Sequence, residues 1–163
     1  MTTVQTDARP LAERELRAWR GLLRTHAQLV KRLDAELEAE HGLALTSYEV
    51  LLHLQHADGR KMRMCDVAES VLLSRSGLTR LIDRLEREGL VERVSCPDDA
   101  RGAYARLTEA GLERFQAAQS THLAGVREHF LDHFGPEELD ALGALWDRMP
   151  GVAVAPGSVC SGE

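Results

Sequence analysis

The stretch "SRSGLTRLIDRLEREGLVERVSCPDDARGAYARLT", Ser74 to Thr108, sets the tightest limit on what this chain can fold into. Its first half places Leu78, Leu81, Ile82 and Leu85 at i, i+3, i+4 and i+7, the spacing of one buried helix face. Ser74 is positioned to cap that helix, predicted over Arg75 to Glu88, and Gly89 to end it. On a helical wheel Ser76, Arg80, Asp83 and Arg87 lie opposite the apolar line, with Thr79 and Arg84 on its flanks. The second half changes period. "LVERVSC" and "GAYARLT" alternate as strands do, and the polar "PDDAR" between them predicts a hairpin.

The flanking segments supply what that helix packs against. "LTSYEVLLHL" predicts a helix with a reciprocal cap between Thr46 and Glu49 and a hydrophobic staple of Leu45 on Val50. It ends at the turn "HADGRK", followed by a short extended "KMRM" and a helix over "DVAESVLL". Upstream, a long helix is predicted from about Leu11 to His41, with Gly42 as its C-terminal cap. There Leu16, Leu23, Val30 and Leu37 recur every seven residues, as do Trp19, His26 and Leu33. So narrow a seam points to helix-on-helix packing with a partner chain. After Thr108 come a fifth helix to about His133 and a sixth over "PEELDALGALWDRM", with Pro136 in its first turn.

The fold class expected is mainly α with a small β-hairpin wing: a winged helix-turn-helix plus a helical dimerisation region. The 163 residues suit one domain. Residues 45–107 form its DNA-binding region, 11–41 and 108–149 its helical dimerisation region, and the Pro/Gly/Ser-rich 150–163 a disordered tail. No apolar run approaches the roughly 20 residues a bilayer span needs. The opening "MTTVQTDARP" has no apolar signal region, so a cytoplasmic location and no membrane partner are expected. Cys65, Cys96 and Cys160 are too few and too scattered for a disulfide framework or a paired zinc motif.

Charge is unevenly spread. From Arg60 to Arg106 ten Lys/Arg stand against eight Asp/Glu, a local net of +2, whereas the rest of the chain carries −8. A polyanion-binding face in the middle of an otherwise repelling chain fits that contrast. The major groove of B-DNA admits one helix, and residues near its N-terminus reach base edges. Arg75 and Arg80 are suited to guanine; Ser74, Ser76 and Thr79 to phosphates or base edges. Arg84 flanks them, and Arg101 at the hairpin tip can enter a narrow minor groove. The competing reading is a solvated face on which Asp83, Glu86 and Glu88 neutralise Arg80, Arg84 and Arg87. An enzyme is not expected: the chain has no Ser-His-Asp order with a nucleophile elbow, no glycine-rich phosphate loop and no HExxH. No cofactor is called for.

"MRMCDVAESVLLSRSGLTRLIDRLEREGLVERVSCPDDARGAYARLTEAG" resembles the DNA-binding core of the multiple antibiotic resistance regulator (MarR) family, and the resemblance extends from about Leu11 to Met149. It implies a homodimeric winged-helix regulator of double-stranded DNA, a repressor released from a pseudo-palindromic operator by a small aromatic or phenolic acid. It also assigns Ser74 to Arg84 to the recognition helix, Arg101 to the minor groove and Asp99 to holding the wing. Ala100 departs from the family, which often has a second basic residue there. Cys65 stands where a serine or threonine commonly caps the third helix.

Three effector readings follow. Trp19, Arg20, His26 and Tyr48 are candidates to hold an aromatic acid, the rings offering flat surfaces and Arg20 and His26 charge-assisted bonds; plain interface packing is the alternative for Trp19 and His26. A thiol-based redox sensor would use Cys65, where the start of the helix favours thiolate and Asp66 opposes it. A metal-responsive regulator would draw on His122, His129 and His133, the last two at i, i+4; the simpler expectation is that no metal binds.

Overall fold

The computed structural model describes residues 9–96 and 99–150, with side-chain surroundings given for 9–95 and 103–150. The long first helix, α1, runs Glu13–His41 and closes on Gly42, whose φ of 57° lies in the left-handed region that glycine enters freely. Its start is tied by the Glu15 carboxylate, which accepts from the Ala12 amide at 2.7 Å. The next helix, α2 (Leu45–His56), begins one residue before the predicted cap and has Ala44 at the capping position. The expected Thr46–Glu49 cap is therefore absent. The Asp34 carboxylate of α1 replaces it, accepting from the Leu45 amide at 2.8 Å. The staple positions shift with the start, to Leu43 and Tyr48, both buried. Glu49 is instead half-buried, and desolvation pushes its carboxyl above the usual carboxylate range.

A 3-10 turn at Asp58–Arg60, with Gly59 at φ 62°, leads into β1 (Lys61–Arg63) and then α3 (Met64–Ser70). The recognition-type helix α4 (Arg75–Arg87) follows, then β2 (Val91–Cys96) and β3 (Asp99–Leu107). The first three residues of the extended "KMRM" form a true strand, and Met64 opens α3. It pairs antiparallel with β3, Met62 opposite Ala105, so the hairpin is one part of a three-stranded sheet ordered β1-β3-β2. Helix α5 (Glu109–His129) is capped by Thr108, whose hydroxyl accepts from Gly111 at 3.0 Å and donates to the Gly89 carbonyl at 2.7 Å. It stops four residues before the predicted end, and a 3-10 turn (Leu131–His133) leads to α6 (Pro136–Trp146). The predicted tail from residue 151 onward lies outside the described residues.

The core joins the C-terminal end of α1 to the winged module. Leu33 and Leu37 of α1 pack with Tyr48, Leu51 and Leu54 of α2, the apolar line of α4, and Leu112, Phe115 and Ala118 of α5. The predicted buried residues of α4, Leu78, Leu81, Ile82 and Leu85, are all in it. Two glycines permit close approach: a Cβ at Gly111 would overlap the Leu90 carbonyl oxygen, and one at Gly125 would overlap Glu36 and Leu33. The heptad seam behaves differently along its length. Leu33 and Leu37 are buried, while Trp19, Leu23 and Val30 are 52%, 48% and 41% exposed. None of the described helices is long and apolar enough to cross a membrane.

Candidate nucleic-acid interface

Ser74 caps α4 as predicted, its Oγ accepting from the Gly77 amide at 3.1 Å, with the Ser76 hydroxyl 3.3 Å away. Capping fixes the angle at which α4 leaves the α3–α4 turn. Arg75, Ser76, Thr79 and Arg80 are all exposed on one side of the helix. The Thr79 hydroxyl donates back to the Arg75 carbonyl at 2.9 Å, and the Arg80 Nε donates to the Ser76 carbonyl at 3.4 Å. Both side chains thus lie along the helix, and the outer edge of the Arg80 guanidinium is left over. Arg84 differs from its neighbours. Its Nη2 donates to Ser47 Oγ at 2.7 Å, and Ser47 is the buried polar residue of α2, so Arg84 ties α4 to α2.

The acidic residues of α4 do not neutralise its arginines. Asp83 and Glu86 both pair with Arg93 of β2, Asp83 at 2.5 Å, and Glu86 also accepts from the Arg93 backbone amide at 3.1 Å. Burial would drag the Arg93 guanidinium down, but the bonds and charges of Asp83 and Glu86 outweigh that and hold it above its usual range. Arg75, Arg80 and Arg87 carry no carboxylate partner among the described residues. The solvated-face reading therefore fails at Asp83 and Glu86, whose charge is spent holding strand to helix.

The wing is built on the same logic. Arg106 of β3 pairs with Glu92 of β2 at 2.8 Å across facing positions of the ladder. Lys61 and Arg63 of β1 sit over the Tyr104 ring, 5.6 and 5.8 Å from its centre. The register shifts between Ser95 and Cys96, one residue pair before the tip. Asp99 belongs to β3 and Arg101 follows in the same strand, but the surroundings of both side chains, and those of Cys96, lie outside the described residues.

The remaining predicted sites are dispersed. Trp19, Arg20 and His26 are exposed on α1, whereas Tyr48 is fully buried, stacked 5.3 Å from Phe115 and tilted 4.5 Å from the His122 ring. Within one chain Tyr48 does not share a cleft with the other three. Its position on a helix that is apolar on most sides made it core. Cys65 is exposed, in the first turn of the seven-residue α3, and its thiol donates to Asp66 Oδ1 at 3.3 Å. The three histidines do not converge, and no group of three metal-binding side chains occurs among the described residues. His129 Nε2 bonds Glu36 and its Nδ1 faces Arg32 Nη1 at 3.4 Å; burial beside Tyr48 pushes the His122 pKa below the usual imidazole range.

A capped helix with an unneutralised arginine face, braced by a strand pair at its C-terminal end, defines a winged helix-turn-helix DNA-binding protein. The MarR family model matches residues 41–102. AbsC, a MarR family transcriptional regulator from Streptomyces coelicolor, shares 39% identity over 84% of this chain and 92% of its own, with a TM-score of 0.80. Sco3205, a MarR family regulator of the same organism solved in complex with DNA, shares 31% over 86% and 88%, with a TM-score of 0.82. The regulator YdgJ of Bacillus subtilis is 32% identical over 73% of this chain and 71% of its own. The chain belongs to the MarR family and is a DNA-binding transcriptional regulator, not an enzyme.

Proposed function

We propose that the protein acts in the cytoplasm as a homodimer that represses transcription from a pseudo-palindromic operator and releases it when a small aromatic acid binds. The observation that carries the DNA side of this reading is the diversion of Asp83 and Glu86 to Arg93, which leaves Arg75 and Arg80 electropositive at the exposed end of α4. The homodimer is supported by the apolar residues left uncovered on one chain: Leu11, Trp19, Leu22, Leu23 and Val30 toward the start of α1, with Leu145 and Met149 near the end. Two-fold symmetry then repeats the recognition helix on half-sites about one helical turn apart.

Base contacts carry specificity. Arg80→Ala is expected to cost roughly 1–3 kcal/mol of operator binding and to lose discrimination at one base pair per half-site. Arg101→Ala is expected to weaken binding at flanking A·T-rich positions instead. Anisotropy titrations on operators with single base-pair changes separate the two; equal losses with no base preference altered contradict these roles. Transcription from the target promoter in a deletion strain decides repression: expression should rise without the protein. A thiol-sensing reading predicts that peroxide releases DNA from the parent and not from Cys65→Ser. A metal-responsive reading has His129 already committed to Glu36 and Arg32.

A further inference from the structure

Among the described residues Leu72 is the most exposed large apolar side chain, at 92% against 52% for Trp19, the next. The others lie along or beside α1 and α6, where a second chain is proposed to cover them. Leu72 stands instead in the turn between α3 and α4. That turn has a defined geometry. The Leu72 amide donates to the Glu69 carbonyl at 3.3 Å and the Leu73 amide to the Ala68 carbonyl at 3.0 Å, the paired bonds of a Schellman ending to α3. Such an ending needs a left-handed residue at position 72, which glycine usually supplies and which Leu72 adopts at φ 53°. Val71 before it is buried and Leu73 after it is partly buried, so Leu72 alone of the three leaves the core. The side chain thus suits neither its backbone nor its solvent. A residue kept in strained geometry with nothing to pack on inside its own fold points to a contact outside it.

We infer that Leu72 is a specificity contact to DNA, packing on the C5-methyl group of a thymine beside the bases that the start of α4 meets. Two residues separate it from the Ser74 cap, at most about 7 Å of chain. A groove that accepts the exposed Arg75 and Ser76 therefore comes over Leu72 as well. Arg75 and Arg80, without carboxylate partners among the described residues, draw a polyanion to this end of the helix. A phosphate is nevertheless a poor neighbour for Leu72 itself. The side chain offers it no bond, and Glu69 is exposed one turn earlier. The apolar surface that the major groove presents is the thymine methyl. The two bonds of the turn fix the residue before DNA arrives, so little freedom is lost on contact. The inference rests on α4 being the helix that enters the groove.

Anisotropy titrations of the full-length protein test it. The probe is the duplex that the parent selects from a random-sequence pool, with copies in which single thymines are replaced by deoxyuridine. That replacement removes only the methyl group. At one thymine per half-site it should weaken the parent about fourfold, as one buried methyl implies. Leu72→Ala should bind the unmodified duplex about tenfold more weakly, and the same replacement should then change nothing. Leu72→Gly should bind as weakly as the alanine variant while melting no lower than the parent, which separates a lost contact from a damaged fold. The contact is overturned if Leu72→Ala binds within about twofold of the parent, or if every thymine replacement acts equally on the two proteins. It is overturned equally if Leu72→Ala raises the dimer dissociation constant in the absence of DNA, because a second chain then covers the residue. A loss in Arg80→Ala without one in Leu72→Ala keeps α4 in the groove and removes Leu72 alone. Failure of the parent to select any duplex removes both.

Discussion

Leu72 is held at φ 53° in the turn between α3 and α4 and is 92% exposed. The left-handed region costs a non-glycine residue on the order of 1–2 kcal/mol, and an exposed leucine recovers none of it through burial. Leu72→Gly relieves the strain but adds freedom to the unfolded chain, worth roughly 0.5–1 kcal/mol. The expected net is a gain of up to about 1 kcal/mol in stability, read from the urea midpoint at unchanged slope. Leu72 itself was not legible: "DVAESVLL" predicts helix through it, whereas α3 ends at Ser70. Contacts within one helix were the most legible part of the sequence. The Ser74 cap and the buried line from Leu78 to Leu85 follow from spacings of three and four, which one helix resolves by itself. Asp34 as the cap of α2, Arg84 on Ser47 and Arg93 as partner of Asp83 and Glu86 were not legible. Each joins residues from separate elements, and nothing in sequence spacing tells which carboxylate a strand arginine will meet once the chain has folded. Tyr48 failed as a site residue for the opposite reason: its aromatic chemistry suits a ligand wall and a core equally, and burial decides.

Between elements, the pairing of β2 with α4 through Arg93 fixes where the wing stands relative to the recognition helix. Asp83 and Glu86 are about half and two-fifths exposed, so solvent screens the pair and its worth to stability is modest. Its larger effect should be on recognition. Arg93→Gln is expected to weaken operator binding several-fold, about 1 kcal/mol, while the melting temperature moves little. It also frees Asp83, one turn from Arg80, to oppose that arginine, so the fall of operator affinity with salt should be shallower, as for fewer phosphate contacts. A second contact between elements carries pH dependence. Burial lowers the His122 pKa on α5, where its ring lies tilted against Tyr48 of α2. In the unfolded chain it takes up a proton near the ordinary value of about 6.5, and in the folded protein only at lower pH. Stability present above that value is therefore lost as pH falls through and below it. His53, lowered by burial and by His56, acts in the same direction. His122→Phe, which keeps a ring against Tyr48, should flatten the fall in urea midpoint between pH 7.5 and 5.5 without abolishing it.

At the scale of the whole molecule, the acidic surplus outside residues 60–106 and the basic recognition face divide the labour of solubility and binding. The apolar residues along the start of α1 form a surface that the fold of one chain leaves uncovered. In the proposed dimer, covering the roughly half of each leucine or valine that is still exposed is worth about 1 kcal/mol, counted twice across a two-fold axis. Val30→Glu and Leu23→Glu, both exposed in the single chain, are expected to leave the helical signal of the chain intact. They should shift light scattering from twice the chain mass toward the 18.1 kDa monomer and abolish tight operator binding.

The joint at Asp34 has a mechanical consequence. The carboxylate of one helix caps the first turn of the next, and Leu33 and Leu37 are packed beside it, so α1 and α2 turn together rather than about a hinge. From Leu33 back to Glu13 the arm extends on the order of 30 Å at about 1.5 Å per residue. A tilt of roughly 5° at the anchored end sweeps the far end through nearly 3 Å by the same geometry. Run in reverse, a displacement of that size at the tip arrives at the α2 cap as a small rotation carrying more leverage than travel. The fold is geared, and the gear ratio is set by the length of one helix.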